Sequence, residues 1–357
     1  MSRLENVTIL HPISDYKQVN TRKGVSQYAE YLSEKGHNVN LIAYKKDKSK
    51  AKNINIEGVN IHIISSNRTY GNRMWRMLNV FLILVRVDTS VFITQFFGTK
   101  DLFLSPICWI LGVKYMIVAD YTPQGQNIPE IKYYKNKLEL LVLSQFVHIF
   151  YTRTVESRDE LCSFCSVINS QVKVLPSGIP DSYFEVNNEW GEQKLLIYVG
   201  SIIEDKNVDI LINSFNDIKQ DFESWSLHIA GDNPNNCDIG DQDRVMYRGF
   251  LSEAELLDLY KKADILCLPS LHESFSNVLI EAAATETAIV STNVGIASEL
   301  LADAGLIIAK NDFEDTKKKL RLYMENDRKR TEDAKKLRGK AEKYRLSWIT
   351  EDIETEF

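Results

Sequence analysis

Short runs of β-branched and aliphatic residues alternate along this chain with longer amphipathic stretches, and that alternation admits few folds. In the first half the strand candidates are Val7–Leu10, Val39–Ala43, Ile61–Ile64, Val91–Gln95, Tyr115–Ala119 and Val147–Tyr151. The second half repeats the plan with Leu195–Val199, Leu227–Ala230, Val245–Tyr247, Ile265–Leu268, Ala288–Ser291 and Leu306–Ile308. Strands separated by helical stretches pair through crossovers, so each half predicts a parallel sheet covered by helices. Between the halves, PSGIPDSYFEVNNEWGEQ (176–193) is rich in Pro, Gly, Asn and Ser and reads as a linker. The expectation is an α/β protein of two Rossmann-like domains, residues 1–180 and 181–340, with a cleft between them. Ligands of such sheets bind beyond the strands' carboxyl ends, so the loops leaving strands carry the chemistry.

With 357 residues, 44% hydrophobic and 26% charged, the chain has material for two soluble cores. Met1–Asn6 is polar and leads straight into a strand, so no secretory signal is read and a cytoplasmic location is expected. The most apolar segment, Met77–Val85, has nine residues, against the ~20 that cross a bilayer. It reads either as a buried helix or, with Arg73, Trp75, Arg76 and Arg86 around it, as an interfacial one. Cys162 and Cys165 form a CxxC pair without a second pair or nearby histidines, so reduced structural thiols are expected and not a zinc site. The net charge of −6 is uneven. Residues 1–180 hold 22 Lys plus Arg against 14 Asp plus Glu, a net +8, and residues 181–357 hold 21 against 35, a net −14. The first half is thus the one suited to an anionic partner.

The most informative stretch is HESFSNVLIEAAA, residues 272–284. From Asn277 to Ala284 nearly every face is apolar, so a helix there is buried on most sides and Glu281 is expected to be buried with it. A buried carboxylate needs donors. Ser274, Phe275 and Ser276 read as a turn with a serine N-cap, which leaves backbone N–H groups pointing past Glu273, an anion site. A ligand with hydroxyls for the carboxylates and phosphates for the helix end meets both needs, and a nucleotide sugar is one; a structural glutamate bonded to a neighbouring loop is the other reading. In YVGSIIEDKNVDILINSF (198–215), Lys206 stands where a helix starts, a place the macrodipole makes unfavourable for a cation unless phosphate is present. In the first half, Lys23 and Gly24 open a helix with Val25, Tyr28, Ala29 and Leu32 inward and Gly36 at its end, and Gly24 allows close approach of a ligand. Asp241 and Asp243 make a DxD pattern that reads as a solvated turn and not as a metal clamp.

In their order, YVGSIIEDKNVDILINSF, LHIAGDNP, VMYRGFLSEAELLDLYKKADILCLPS and HESFSNVLIEAAATETAIVSTNVG resemble the C-terminal domain of the retaining glycosyltransferases of family 4. KGVSQYAEYLSEKGHNV, TRTVESRDEL and VKVLPSGIPDSYF agree more loosely with its first domain, and KYRLSWITEDIETEF is similar to its closing helix. The resemblance spans essentially the whole chain. It implies the GT-B fold, with residues 341–357 as a helix crossing back to the first domain. It also implies that Glu281 binds the donor's ribose hydroxyls, that Glu273 lies near the donor sugar, and that the backbone over Ser274, Phe275, Ser276, Asn277 and Val278 holds pyrophosphate or sugar hydroxyls. Lys206 and Gly24 then contact phosphate, and the backbone near Arg248 and Gly249 the base. The family's second phosphate-site cation, an arginine, aligns with Ser201 here. Its sugar-contacting histidine aligns with Ala119, and the neighbouring Asp120 is read as the substitute. No metal and no cofactor are implied.

The leading expectation is a retaining, metal-independent hexosyltransferase. It would use a nucleoside diphosphate sugar, UDP in preference to GDP, and a glycan or lipid-linked glycan acceptor, with peripheral contact to anionic membrane and no nucleic-acid partner. The alternative is a non-catalytic nucleotide-sugar-binding partner of another transferase. A nicotinamide oxidoreductase fits the sheet pattern but requires a GxGxxG loop, which the sequence lacks.

Overall fold

The computed structural model describes residues 4–10, 27–45, 52–56, 58–65, 71–95, 99–119, 130–191, 194–235, 237, 239 and 243–357. They divide into two compact units, Met1–Gly178 together with Leu346–Phe357, and Ile179–Arg345. The divisions fall at 178/179 and 345/346, against 180/181 and 340/341 from the sequence.

The first unit is built on an eight-stranded sheet of β1 (Asn6–Leu10), β2 (Asn38–Lys45), β3 (Lys52–Ile56), β4 (Val59–Ser65), β5 (Val91–Gln95), β6 (Lys114–Ala119), β7 (Ile149–Thr152) and β8 (Val172–Val174). The order is β3-β4-β2-β1-β5-β6-β7-β8, parallel throughout except that β3 runs antiparallel to β4. Two of these strands were not read from the sequence. The edge strand β3, KNINI, is polar at every other position, and β8 has only three residues. The sixth expected strand also moves by two residues, from Val147–Tyr151 to Ile149–Thr152, because Val147 closes the turn after the preceding helix with its N–H on Leu143 O (2.8 Å).

Helices α1 (Tyr28–Glu34), α2 (Gly71–Arg86), α3 (Thr99–Ile110), α4 (Glu130–Leu143) and α5 (Val155–Phe164) cover this sheet. The apolar segment in α2 turns out to be two-sided. Val80 and Leu84 are buried, whereas Trp75, Leu78, Leu82 and Val85 are exposed along the opposite side. On α3 and α4 the exposed residues again include large apolar ones, namely Phe103, Trp109, Ile110, Leu138 and Val142. The acidic residues whose side chains are described on these three helices, Asp101 and Glu139, are both buried. No helix among the described residues is long and apolar enough to cross a membrane.

The second unit has a fully parallel sheet of β9 (Lys194–Val199), β10 (Trp225–Ala230), β11 (Val245–Gly249), β12 (Ile265–Leu268), β13 (Ala288–Thr292) and β14 (Leu306–Ile308), in the order β11-β10-β9-β12-β13-β14. Its helices are α6 (Val208–Ile218), α7 (Glu253–Lys262), α8 (Asn277–Ala284), α9 (Ala297–Leu300), α10 (Phe313–Glu325) and α11 (Asp327–Ala341). The order reverses between β9 and β12, and this switch point is where doubly wound sheets open a crevice at their carboxyl ends. The final helix, α12 (Leu346–Glu354), returns to the first unit. There Leu346, Ile349 and Ile353 join the core made by Val7, Ile9, Leu32 and Val39. His37, buried beneath it, makes a 2.7 Å hydrogen bond through Nε2 to Glu354. All five cysteines are free thiols.

Truncating α12's buried anchor tests this arrangement. Ile349 is 3% exposed, so Ile349→Ala should cost about 2–4 kcal/mol through lost burial and a residual cavity. Urea unfolding followed by circular dichroism should show the loss in the first unit's transition.

Candidate functional site

Four loops that leave strands of the second unit, after β9, β10, β12 and β13, are linked by backbone hydrogen bonds. Gly200 N–H donates to Ala230 O (2.9 Å), Ile202 N–H to Asp232 O (2.8 Å), Leu271 N–H to Asp205 O (2.8 Å) and Ile296 N–H to Phe275 O (2.9 Å). Two glycines make the tightest of these approaches possible. A Cβ on Gly231, whose φ is +146°, would fall 1.9 Å from Gly200 O, and one on Gly295, at φ +56°, would fall 2.5 Å from Phe275 O. Only residues without a side chain fit there.

Lys206 ends a short 3-10 turn, Glu204–Lys206, just before Asn207 in the left-handed region (φ 51°) starts α6. Its Nζ lies 2.7 Å from Glu273 Oε1, and Ser270 Oγ donates to the same oxygen at 2.9 Å. The two charged side chains expose 21% and 15% of their surface, so the pair is shielded on most sides but still reachable from solvent. The loops after β9 and β12, on either side of the switch point, thus bring a cation and an anion together.

Ser276 holds the N-cap position of α8, at φ 75°, but its side chain makes no capping bond. The first-turn amides of α8 therefore have no side-chain cap, and the positive end of the helix is presented bare. Ser274 is exposed, Asn277 and Val278 are half-buried, and Phe275 packs its ring against Tyr344 at 6.1 Å. A ligand would meet Phe275 through its backbone.

The expected burial of Glu281 is corrected. It is half-buried, because Leu279, Ile280 and Ala282–Ala284 occupy the core-facing sides of α8. One partner is internal, since Tyr260 OH donates to Oε2 at 2.9 Å. Tyr260 is wholly buried, and its phenol is held well above the usual range by that burial first and by the charge of Glu281 second.

Ser201 Oγ donates to Asp232 Oδ1 in a short hydrogen bond. An acidic partner therefore stands where the resembling family has a cation. Tyr198 OH donates to Ser201 O at 3.0 Å, and its phenol is raised by burial first, then by the charges of Glu273 and Asp232. Arg248 is exposed, with its guanidinium beside Met246 Sδ (3.4 Å), and Gly249, at φ +68°, accepts Gly231 N–H at 2.8 Å. Gly24, Asp120 and Asp241 lie outside the described residues. Asp243 is exposed on a turn beside Arg244, and among the described residues no group of three or more His, Cys, Asp or Glu is arranged for a metal.

Ser270, Tyr260 and Asp232 were not singled out from the sequence. Ser270 sits three residues from Glu273, a spacing that a search for local donors would have picked up. Tyr260 and Asp232 come from other strand-helix units, so only the fold brings them in.

Residues 181–344 match the family model described as glycosyl transferases group 1. An uncharacterized glycosyltransferase of Methanocaldococcus jannaschii is 26% identical over 304 residues, 76% of this chain and 76% of that protein. A capsular polysaccharide biosynthesis glycosyltransferase of Staphylococcus aureus is 25% identical over 50% of this chain and 52% of its own length. Among solved structures, the Anabaena protein HepE in complex with UDP superposes with a TM-score of 0.75 at 11% identity, covering 98% of both chains.

The glycine contact offers a direct test of the site's construction. Gly231→Ala forces Cβ into the Gly200 carbonyl at a backbone angle that L residues avoid. A loss of at least about 2 kcal/mol in thermal unfolding is expected, the scale of a strained and overpacked position. Unchanged stability would mean that the loops do not approach so closely.

Proposed function

We propose that this protein, which has a GT-B fold and a second unit matching the group 1 glycosyl transferases, is a glycosyltransferase that moves a hexose, with retention, from a nucleoside diphosphate sugar to a hydroxyl of a glycan or lipid-linked glycan. The observation that carries the donor assignment is the Lys206–Glu273 pair beside the uncapped end of α8. A diphosphate carries more negative charge than one carboxylate and offers several acceptor oxygens, so Lys206 turns from Glu273 to the diphosphate, and Glu273 is released to accept from sugar hydroxyls. The α8 amides over Ser274–Val278 hold pyrophosphate or sugar oxygens, Glu281 the ribose, and the backbone at Arg248 and Gly249 the base. Ser201 lines the phosphate side, and Gly24 and Asp120 keep their sequence-based assignments to phosphate and sugar. UDP is the favoured nucleotide, since HepE, of the same fold, has been solved with UDP and with UDP-glucose.

Breaking the sugar–phosphate bond places positive charge on the ring and negative charge on the leaving diphosphate. Lys206 and the α8 amides stabilise the latter without a metal, and no protein nucleophile is needed. The Ser201–Asp232 bond favours a second reading, a binding subunit without turnover, because it lowers the positive charge at the leaving group.

Lys206→Ala and Glu281→Ala should each lower kcat/KM by about 2–4 kcal/mol, the scale of a single oxyanion contact. Transfer should also survive chelation. UDP-sugar that raises the unfolding temperature without being consumed, whatever the acceptor, would favour the binding subunit.

The acceptor is anionic or membrane-borne on this reading. The exposed Trp75, Leu78, Leu82 and Val85, with Arg76 and Arg86 on the same helix, suit the interface of an anionic bilayer. Wild type should sediment with phosphatidylglycerol vesicles, less so as salt rises, and Leu78→Ser/Leu82→Ser should stay in the supernatant. Failure of the wild type to sediment at low salt removes the membrane from the proposal and leaves the transferase.

A further inference from the structure

The first unit carries a second concave surface, at the end of its sheet where strands begin. β1 starts at Asn6, β2 at Asn38 and β4 at Val59, next to the end of α2 at Arg86. They frame an open depression of about 610 Å³, within the range of small-ligand sites, roughly 300–1,000 Å³. Its composition is unusual for a sheet. On β2, Val39, Leu41 and Ala43 face the core under α1 and α12, but the alternate face begins with Asn38 and Asn40. Asparagine is depleted in strands because it packs poorly there, yet this one surface gathers Asn38, Asn40, Asn55 and Asn60.

Three of these amides form a directional chain. Asn55 Nδ2 donates to Asn60 Oδ1 (2.9 Å), Asn60 Nδ2 to Asn38 Oδ1 (3.2 Å), Asn38 Nδ2 to Asn6 Oδ1 (2.9 Å), and Asn6 Nδ2 to Asp88 O (3.0 Å). An amide has two N–H groups and two lone pairs, so each link uses only part of its capacity. Asn40, 2% exposed, accepts from His62 Nε2 at 3.0 Å. Its own Nδ2 is buried and has no partner among the described residues.

The kind of ligand follows from charge. Arg86 and Asp88 at the rim oppose each other, and burial first and Arg86 second lower the pKa of His62, which is therefore uncharged at neutral pH. A phosphate or carboxylate would meet Asp88 beside Arg86, and a cation Arg86 beside Asp88, so the opposed charges favour neither. Hydroxyl groups both donate and accept, as the amides do, and Ile54 and Val87 offer apolar surface to the C–H side of a sugar ring.

We propose that this depression is a second ligand site, distinct from the donor site, and that it binds a neutral oligosaccharide through its hydroxyls to Asn38, Asn55 and Asn60. The full chain, with UDP at saturation, is to be applied to a printed array of neutral and anionic oligosaccharides. Neutral oligosaccharides should be retained, and equally by Lys206→Ala, because Lys206 lies in the other unit. The half-buried or exposed pair Asn38→Ala/Asn60→Ala should weaken binding about ten-fold, two hydrogen bonds' worth, with its unfolding temperature and UDP binding unchanged. Retention of no neutral oligosaccharide, a preference for anionic ones, or equal binding by the double variant would overturn the proposal. UDP binding is measured on the same samples, so failure of the donor assignment would register separately.

Discussion

The second unit's site depends on how closely the chain can bring its strand ends together. Gly200 and Gly231 end neighbouring strands, and the distance between them leaves no room for a Cβ on Gly231. From that contact the loops after β9 and β10 run side by side, and the bond from Leu271 to Asp205 ties the loop after β12 to them. These are backbone links between segments far apart in sequence. They set where Lys206, Ser270 and Glu273 can reach, and so side-chain chemistry rests on main-chain packing. A rigid frame of this kind suits electrostatic stabilisation, where donors must already be in place as charge develops.

Within that frame the charges are balanced. Glu273 neutralises Lys206, Tyr260 supports Glu281, and Ser201 is bonded to Asp232. The ion pair is the one whose cation a more highly charged anion can take over. The helix end at α8 needs no such exchange, since Ser276 leaves it uncapped.

The first unit separates its surfaces by chemistry. Its outward helices α2, α3 and α4 show large apolar side chains, with their described acidic residues buried. The beginning of its sheet shows amides. The two surfaces are proposed to meet different partners, a lipid interface and a hydroxyl-rich chain.

Much of the fold was legible because strand and helix periods are local properties. Ile265–Leu268 and Leu306–Ile308 were read to the residue, as was the helix from Asn277 to Ala284, because uninterrupted apolar runs bounded by turn residues leave little choice. Polar β3, KNINI, and three-residue β8, with Lys173 between two valines, escaped because neither offers an uninterrupted apolar run. In the site, the glutamate spacing and Lys206 stood out as residues whose placement demanded a partner. The sequence alone thus determined the alternation, the loops that carry charge and the helix whose end they face. Which side of α2 meets solvent, how far Glu281 is buried, and that Tyr260, Ser270 and Asp232 complete the charged groups were decided by tertiary structure, because burial and hydrogen-bond partners are set by what packs opposite, and that is supplied by strands and helices distant in the chain.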